Sequence, residues 1–487
     1  MSGNGLSRRW LHGWLSPLVH LSNNPLSLAG VVMVTTAAVF WLFVLPVSLR
    51  SEVDNPYMGI LIFLALPGLF FLGLLLIPLG IFLRFRGERR RHTYPAEFPP
   101  LNFHNPDFRR LAAFIAAATV VNIIIGAQTS YSAVTYMDSV TFCGQTCHTV
   151  MEPEFAAYQN SPHSRVECVK CHIGPGASWF VRSKLSGVWQ VFAVTFNTYD
   201  RPIPTPVRNL RPARETCETC HWPQKFGADR LRIIDHYAED EANSRTRTVL
   251  LMRIGGGSKR GPGIHGMHLD PGVVIRYAHS DESRQTIPWV EYRDSSGKVT
   301  EYFAEGVTRE QIKDLPVREM DCMDCHNRPT HAFSLPERSV DEAISAGDIP
   351  QSLPYVRKKA VELLKADYPS SQQAESSIRS QLESFYREQY PELSKTRKAE
   401  IKRAADGIVA IYRRNVFPAM KVQWGTYPNN IGHTDFPGCF RCHDDQHKSS
   451  GGAVVRQDCS SCHQILAMGE EAPKILADLG LEPAAQQ

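Results

Sequence analysis

Up to Ser130 this chain of 487 residues contains no lysine and no cysteine. Acidic groups are scarce there too, with 5 Asp and Glu against 10 Arg, so the segment carries +5 while the remaining 43 basic and 44 acidic residues give −1. The formal +4 of the whole chain is therefore the charge of one end. A nucleic-acid partner, which needs cations spread over a binding face, is not what that charge describes, and no nucleic acid is expected. A charged fraction of only 21% beside 43% hydrophobic residues also excludes collagen-like, coiled-coil and wholly disordered chains.

Within the N-terminal part, residues 28–49, 57–83 and 111–127 lack Asp, Glu, Lys and Arg altogether. A helix needs roughly 20 residues, and at least about 17, to cross a hydrocarbon core. The first two runs satisfy this, and the third does so with Gln128 and Ser130 at the interface. Pro46, Pro67 and Pro78 are tolerable in such helices, each kinking or ending a turn. The run 57–83 is apolar on every face, whereas a core helix of a soluble domain would keep a polar stripe. Arg8 and Arg9 precede the first run, and Arg84, Arg86, Arg89, Arg90, Arg91, Arg109 and Arg110 separate the second from the third. Only Arg50 lies between the first two. The positive-inside rule then places the N-terminus and the Arg-rich loop in the cytoplasm, and three crossings put the chain after about residue 131 on the periplasmic side. No small-residue cleavage pattern follows the first run, so the segment is read as an uncleaved anchor in the cytoplasmic (inner) membrane.

All 12 cysteines lie beyond this anchor, as six close pairs each followed directly by His. They are Cys143, Cys147 and His148; Cys168, Cys171 and His172; Cys217, Cys220 and His221; Cys322, Cys325 and His326; Cys439, Cys442 and His443; and Cys459, Cys462 and His463. The last five read C-x-x-C-H, and the first has one residue more between its thiols. This is the attachment signature of c-type haem: two thiols bond the two vinyl groups of one haem, and the adjacent His is held under the iron as proximal ligand. Chance gives on the order of 0.01 such motifs in a chain of this composition. Zinc ribbons have no reason to place His after every second Cys, and a disulfide framework would waste adjacent pairs this regular. Six covalently attached haems are expected. Their attachment outside the cytoplasmic membrane agrees with the orientation read from arginine.

Eight further histidines follow the anchor: His163, His236, His265, His268, His279, His331, His433 and His447. The distal candidates are Met151, His163, His268, His331, His433 and His447, with His236, His265 and His279 as the remainder. Met151 lies one helical turn after His148, and its thioether would either ligate iron, raising the potential, or fill an apolar gap. An iron with two protein ligands passes electrons but binds no substrate. The supply of ligands therefore favours a wire, and a terminal reductase of a small oxyanion or nitrogen compound at one open haem stays as the alternative.

The anchor leading directly into the first motif, then Ser161-Pro162-His163 ahead of Cys168-Val-Lys-Cys171-His172-Ile-Gly-Pro-Gly and Val181-Arg182-Ser183-Lys184-Leu185, resembles the NapC/NirT family, which includes the NrfH-type cytochromes. The resemblance covers about residues 110–225. It implies a quinol dehydrogenase of the cytoplasmic membrane that feeds electrons to a periplasmic reductase or an outer-membrane conduit. Three anchor helices and six haems exceed the usual family pattern, so the chain is similar to the larger inner-membrane cytochromes of metal-respiring bacteria. By that resemblance Lys184 matches a Lys lining the quinol pocket, Gln190 stands near the family's acidic position, and menaquinol or ubiquinol is the donor. The stretch from Trp179 to Phe192 is amphipathic and aromatic, as an interfacial helix requires. Haem propionates add to the −1 of the exported part, which implies an acidic face and a redox partner with a basic docking patch.

The expected fold is mostly α: a three-helix transmembrane anchor over 1–130, then a multihaem domain of low regular secondary structure with a small β insertion. Its regions are a three-haem part over 131–230, the β insertion and fourth haem over 231–336, a helical segment over 337–430 broken at Pro354, Pro369 and Pro391, and a two-haem end over 431–487. Strands are expected within 247–254, 272–278 and 286–303, with Asp294 to Lys298 as a hairpin turn. The glycine-rich run 255–261 lacks the ending of a phosphate loop and reads as a turn.

Overall fold

The uncharged N-terminal runs become the long helices Pro25–Leu49, Leu66–Arg90 and Pro106–Asp138. They belong to a computed structural model that describes residues 15–49, 65–98, 104–145, 148–174, 177–207, 210–222, 228–255 and 263–481. Residues 57–64 of the second run, the early arginines Arg8, Arg9 and Arg50, and most of the glycine-rich run lie outside the described residues. Among the described residues, Leu66–Arg90 and Pro106–Ile125 are each long and apolar enough to cross a membrane. The pair Leu15–Ser22 and Pro25–Phe40 passes the same test together, bent by 100° at its break.

The chain divides into two compact units, one of Met1–Cys143 with Glu167–Thr195 and the other of Gly144–Val166 with Phe196–Gln487. In the first, backbone contact between helices is secured by glycine. A Cβ on Gly30 or on Gly73 would lie 2.7 Å from the other's carbonyl oxygen, so only these small residues allow Pro25–Leu49 and Leu66–Arg90 to approach this closely. Ser27 Oγ donates to the Ile77 carbonyl at 2.9 Å, and Asn122 Nδ2 donates to Thr35 Oγ1 at 3.3 Å. His20 ties three helices at one end, reaching Glu88 at 3.2 Å and Asp107 at 3.3 Å, while Arg84 Nε donates to Glu88 at 2.7 Å. The third long helix begins before the expected 111, because Asn105 caps it by accepting from Asp107 N at 2.9 Å and Pro106 fits its first position.

Among the described residues the second unit holds two antiparallel sheets. The strands are β1 (Arg230–Tyr237), β2 (Arg245–Met252), β3 (Val274–Ala278), β4 (Trp289–Arg293), β5 (Val299–Phe303), β6 (Val317–Glu319) and β7 (His463–Glu470), in the orders β1-β2-β7 and β5-β4-β3-β6. The expected strand regions and the Asp294 turn are present, the turn closed by Asp294 Oδ1 accepting from Lys298 N at 3.0 Å. Strands β1, β6 and β7 lie beyond those regions; all are edge strands, β1 and β7 completed by β2 and β6 by β3, partners that local pattern does not reveal. Helices Pro336–Ser345, Val356–Lys365, Ser371–Gln389 and Lys398–Asn415 enclose a core in which Ile349, Leu353, Ile378, Leu382 and Ile408 are fully buried. Pro354 and Pro369 fall between these helices and Pro391 opens the short helix Pro391–Thr396, as a residue without a backbone donor should.

Candidate functional site

Each of the five C-x-x-C-H motifs is built on a tight turn. Cys168–His172, Cys322–Cys325 and Cys459–Cys462 are short helices, Cys217 ends the helix Ala213–Cys217, and Cys439 lies in the 3-10 turn Gly438–Arg441. Residues three apart in such a turn share one face, which puts both thiols of a motif on the same side. The next residue is drawn back under them: His221, His326 and His443 donate their backbone N–H to the carbonyl of the motif's first Cys at 2.8, 2.8 and 3.1 Å. Asp321 and Asp458 explain why two turns start where they do, accepting from Met323 N at 2.8 Å and Ser460 N at 2.9 Å. Cys147 lies outside the described residues, while His148 opens the helix His148–Gln159 that carries Met151 one turn later.

In the second unit the motifs follow one another in space as in sequence. The Cys217 and Cys322 thiols hydrogen-bond, which holds Cys322 below the usual thiol range. Cys325 lies within electrostatic reach of Cys439 and Cys442, and Cys462 within reach of Cys439. Burial pushes both Cys325 and Cys442 up to about 12. In the first unit a hydrogen bond from Cys143 draws Cys168 down to about 7, so the first two motifs also have neighbouring thiols.

Among the described residues, four of the motif histidines face a second histidine. Ring centroids lie 5.8 Å apart for His221 and His163, 6.4 Å for His326 and His265, 6.0 Å for His443 and His268, and 6.3 Å for His463 and His433. These gaps fit the group the motifs call for. An imidazole nitrogen sits about 2 Å from a transition metal and about 1 Å from its own ring centroid, so two imidazoles sharing one metal put their centroids about 6 Å apart. The Nδ1 atoms of His163, His268 and His443 donate to the carbonyls of Pro329, Ile264 and Arg456 at 3.2, 2.7 and 3.0 Å. That fixes the proton on Nδ1 and leaves the Nε2 lone pair, the arrangement by which ligating histidines are oriented. Burial also holds His265, His268, His326 and His463 below the ordinary imidazole range, favouring the neutral ring that can donate a lone pair.

His331 shares this orientation: its Nδ1 donates to the Glu154 carbonyl at 2.9 Å and lies 3.2 Å from the Glu154 carboxylate. Arg328 holds that carboxylate through two contacts at 3.1 and 3.2 Å, with its guanidinium over the Tyr427 ring at 4.3 Å. His447 differs. It is buried with both ring nitrogens engaged, Nδ1 by Asp444 at 2.9 Å and Nε2 by the Ile287 carbonyl at 2.8 Å. His236 contacts Asp341 at 2.9 Å and His279 donates to the Asp281 carbonyl at 2.9 Å. The structure thus brings His163, His268 and His433 to motif histidines, and adds His265, whose only sequence signal is its position three residues before His268 on one helix. The Arg328 and Glu154 pairing joins residues 174 apart in sequence and has no local signature.

The stretch bearing Lys184 and Gln190 forms the helix Ala177–Thr195 of the first unit. Leu185, Trp189 and Phe192 are exposed along one face, with the Trp189 and Phe192 rings stacked at 5.6 Å. Gln190 is exposed and donates to Ser186 Oγ at 3.2 Å. Arg182 lies over the Trp179 ring at 5.0 Å.

An apolar anchor, haem-attachment turns in sequence and imidazoles facing the motif histidines define a membrane-bound electron-transfer cytochrome. The N-terminal region of the NapC/NirT cytochrome c family matches residues 107–203. "Cytochrome c-type protein ImcH" of Geobacter sulfurreducens (strain ATCC 51573 / DSM 12127 / PCA) is 43% identical over 457 residues, which cover 93% of this chain and 90% of that protein. No solved structure matches. The chain belongs to the NapC/NirT cytochrome c family and is a membrane-anchored multihaem c-type cytochrome.

Proposed function

We propose that this cytochrome oxidises menaquinol or ubiquinol at the outer face of the inner membrane and relays the electrons through six haems to a periplasmic or outer-membrane acceptor. The observation that carries the relay is the set of four facing imidazole pairs, with centroids 5.8 to 6.4 Å apart. A gap closed on both sides by nitrogen offers substrate no entry, which favours a relay over a terminal reductase. The motif order in the second unit, third beside fourth beside fifth beside sixth, supplies a continuous path. Haem, once bound, supplies one-electron steps between ferric and ferrous iron.

Quinol oxidation releases two electrons and two protons per molecule. The exposed apolar face of Leu185, Trp189 and Phe192 suits both a quinone ring and the membrane interface. Lys184, on the same helix, is the group we assign to the quinol hydroxyl. Gln190 has no titratable group, so the protons leave by way of another residue or water. The three crossings, with the N-terminus in the cytoplasm and the haem domain in the periplasm, are part of this reading. So is an acceptor that docks through a basic patch.

The test is Lys184→Gln in the haem-loaded protein. Haem reduction by a short-chain quinol should slow on the order of 10-fold, with dithionite reduction unchanged. An unaltered quinol rate removes Lys184 from the site. Cyanide binding at one iron of the unmodified protein would favour the reductase.

A further inference from the structure

We infer that the helix Gly263–Leu269 is a strap that ligates two irons at once, His265 facing the iron of the fourth motif and His268 that of the fifth. This rests on the reading of the facing imidazole pairs as iron gaps, but not on quinol as the electron donor. The helix lies beyond residues 107–203 that match the family, so nothing in that match assigns it.

Residues three apart on a helix emerge on one side, separated by about 60° around the axis and about 4.5 Å along it. The two rings therefore leave the helix together and diverge to different partners. His265 meets His326 at 6.4 Å between centroids, and His268 meets His443 at 6.0 Å. One helix thus carries the partners of two successive motif histidines.

The strap is held rigidly at its entry. Ile264 and His265 donate their N–H groups to the carbonyls of Arg253 and Ile254, both at 2.8 Å, just past the end of β2. Gly263 adopts φ +52°, and a Cβ there would lie 2.6 Å from Gly255 and 2.7 Å from the Arg253 carbonyl. His268 orients its ring through its own helix, by the Ile264 carbonyl at 2.7 Å. One short helix thus sets the distal side of two irons whose attachment thiols, Cys325 and Cys442, are also neighbours.

The experiment uses the full-length, haem-loaded protein in detergent, with His265→Met, His268→Met and the double variant. Near-infrared magnetic circular dichroism separates histidine–histidine from histidine–methionine irons, and haem content and far-ultraviolet circular dichroism are recorded on the same samples. Each single variant should convert one iron and the double variant two. A single variant that leaves the histidine–histidine count unchanged, or a double variant that converts only one iron, overturns the strap. His163→Met and His433→Met are run beside them. If these convert one iron each while the strap variants do not, the strap fails and the facing-pair reading stands for His163 and His433 alone. If none of the four converts an iron, that reading fails with it. Where a methionine variant does not accumulate, His265→Gly and His268→Gly are refilled with imidazole: recovery of the lost signal is expected, and its absence counts against the strap.

Discussion

A histidine becomes available to a metal when one ring nitrogen is held by the protein and the other is not. His163, His268 and His443 meet this condition through a backbone carbonyl at Nδ1. His447 does not, since Asp444 and the Ile287 carbonyl engage both nitrogens of a buried ring. We therefore expect His447→Gln to leave haem content and the low-spin spectrum unchanged. It should cost about 1–3 kcal/mol in a denaturant titration, because a buried acceptor and a carboxylate lose their partner. A lost histidine–histidine signal in that variant would restore His447 as a ligand. His447 and His265 look alike as letters in a sequence; what separates them is the neighbourhood each ring enters.

At the scale of elements, two kinds of support are distinct. The haem turns are short and carry few buried side chains, whereas the four helices between Pro336 and Asn415 have a core of their own. Leu382 is fully buried in that core, so Leu382→Ala should destabilise by about 2–5 kcal/mol through the lost methyl groups and the cavity left behind. Denaturation followed by far-ultraviolet circular dichroism measures this, with the haem spectrum of the folded variant unchanged. A shifted haem spectrum would mean that the helical core positions the irons directly. The helical character of this segment was readable in the sequence, and within Ser371–Gln389 the buried residues Ala374, Ile378 and Leu382 recur every four residues along one face. Strand β7 was not, because its register is imposed by β2 and begins on the histidine of the sixth motif.

For the whole molecule the relevant quantity is where its charge lies. Arginine concentrated from Arg84 to Arg110, in the last turns of Leu66–Arg90, the following link and the first turns of Pro106–Asp138, predicts an orientation that reporter fusions can read. Alkaline phosphatase joined after Arg91 should be inactive, and joined after Ser139 active. The reverse pattern would place the Arg-rich loop outside and would contradict attachment of haem on that side. The same asymmetry explains why a chain of +4 is not a basic protein.

The sequence by itself determined what depends on near neighbours: the six Cys-Cys-His motifs, the apolar runs, the Arg bias and the helix breaks at proline. Thiol spacing, hydrophobic length and capping act over one to a few turns, so they are written in consecutive residues. Only the tertiary structure decided which imidazole faces which motif, and that Arg328 and Glu154 hold His331. Those relations join distant residues whose approach is set by sheet pairing and burial, and no local pattern carries that information.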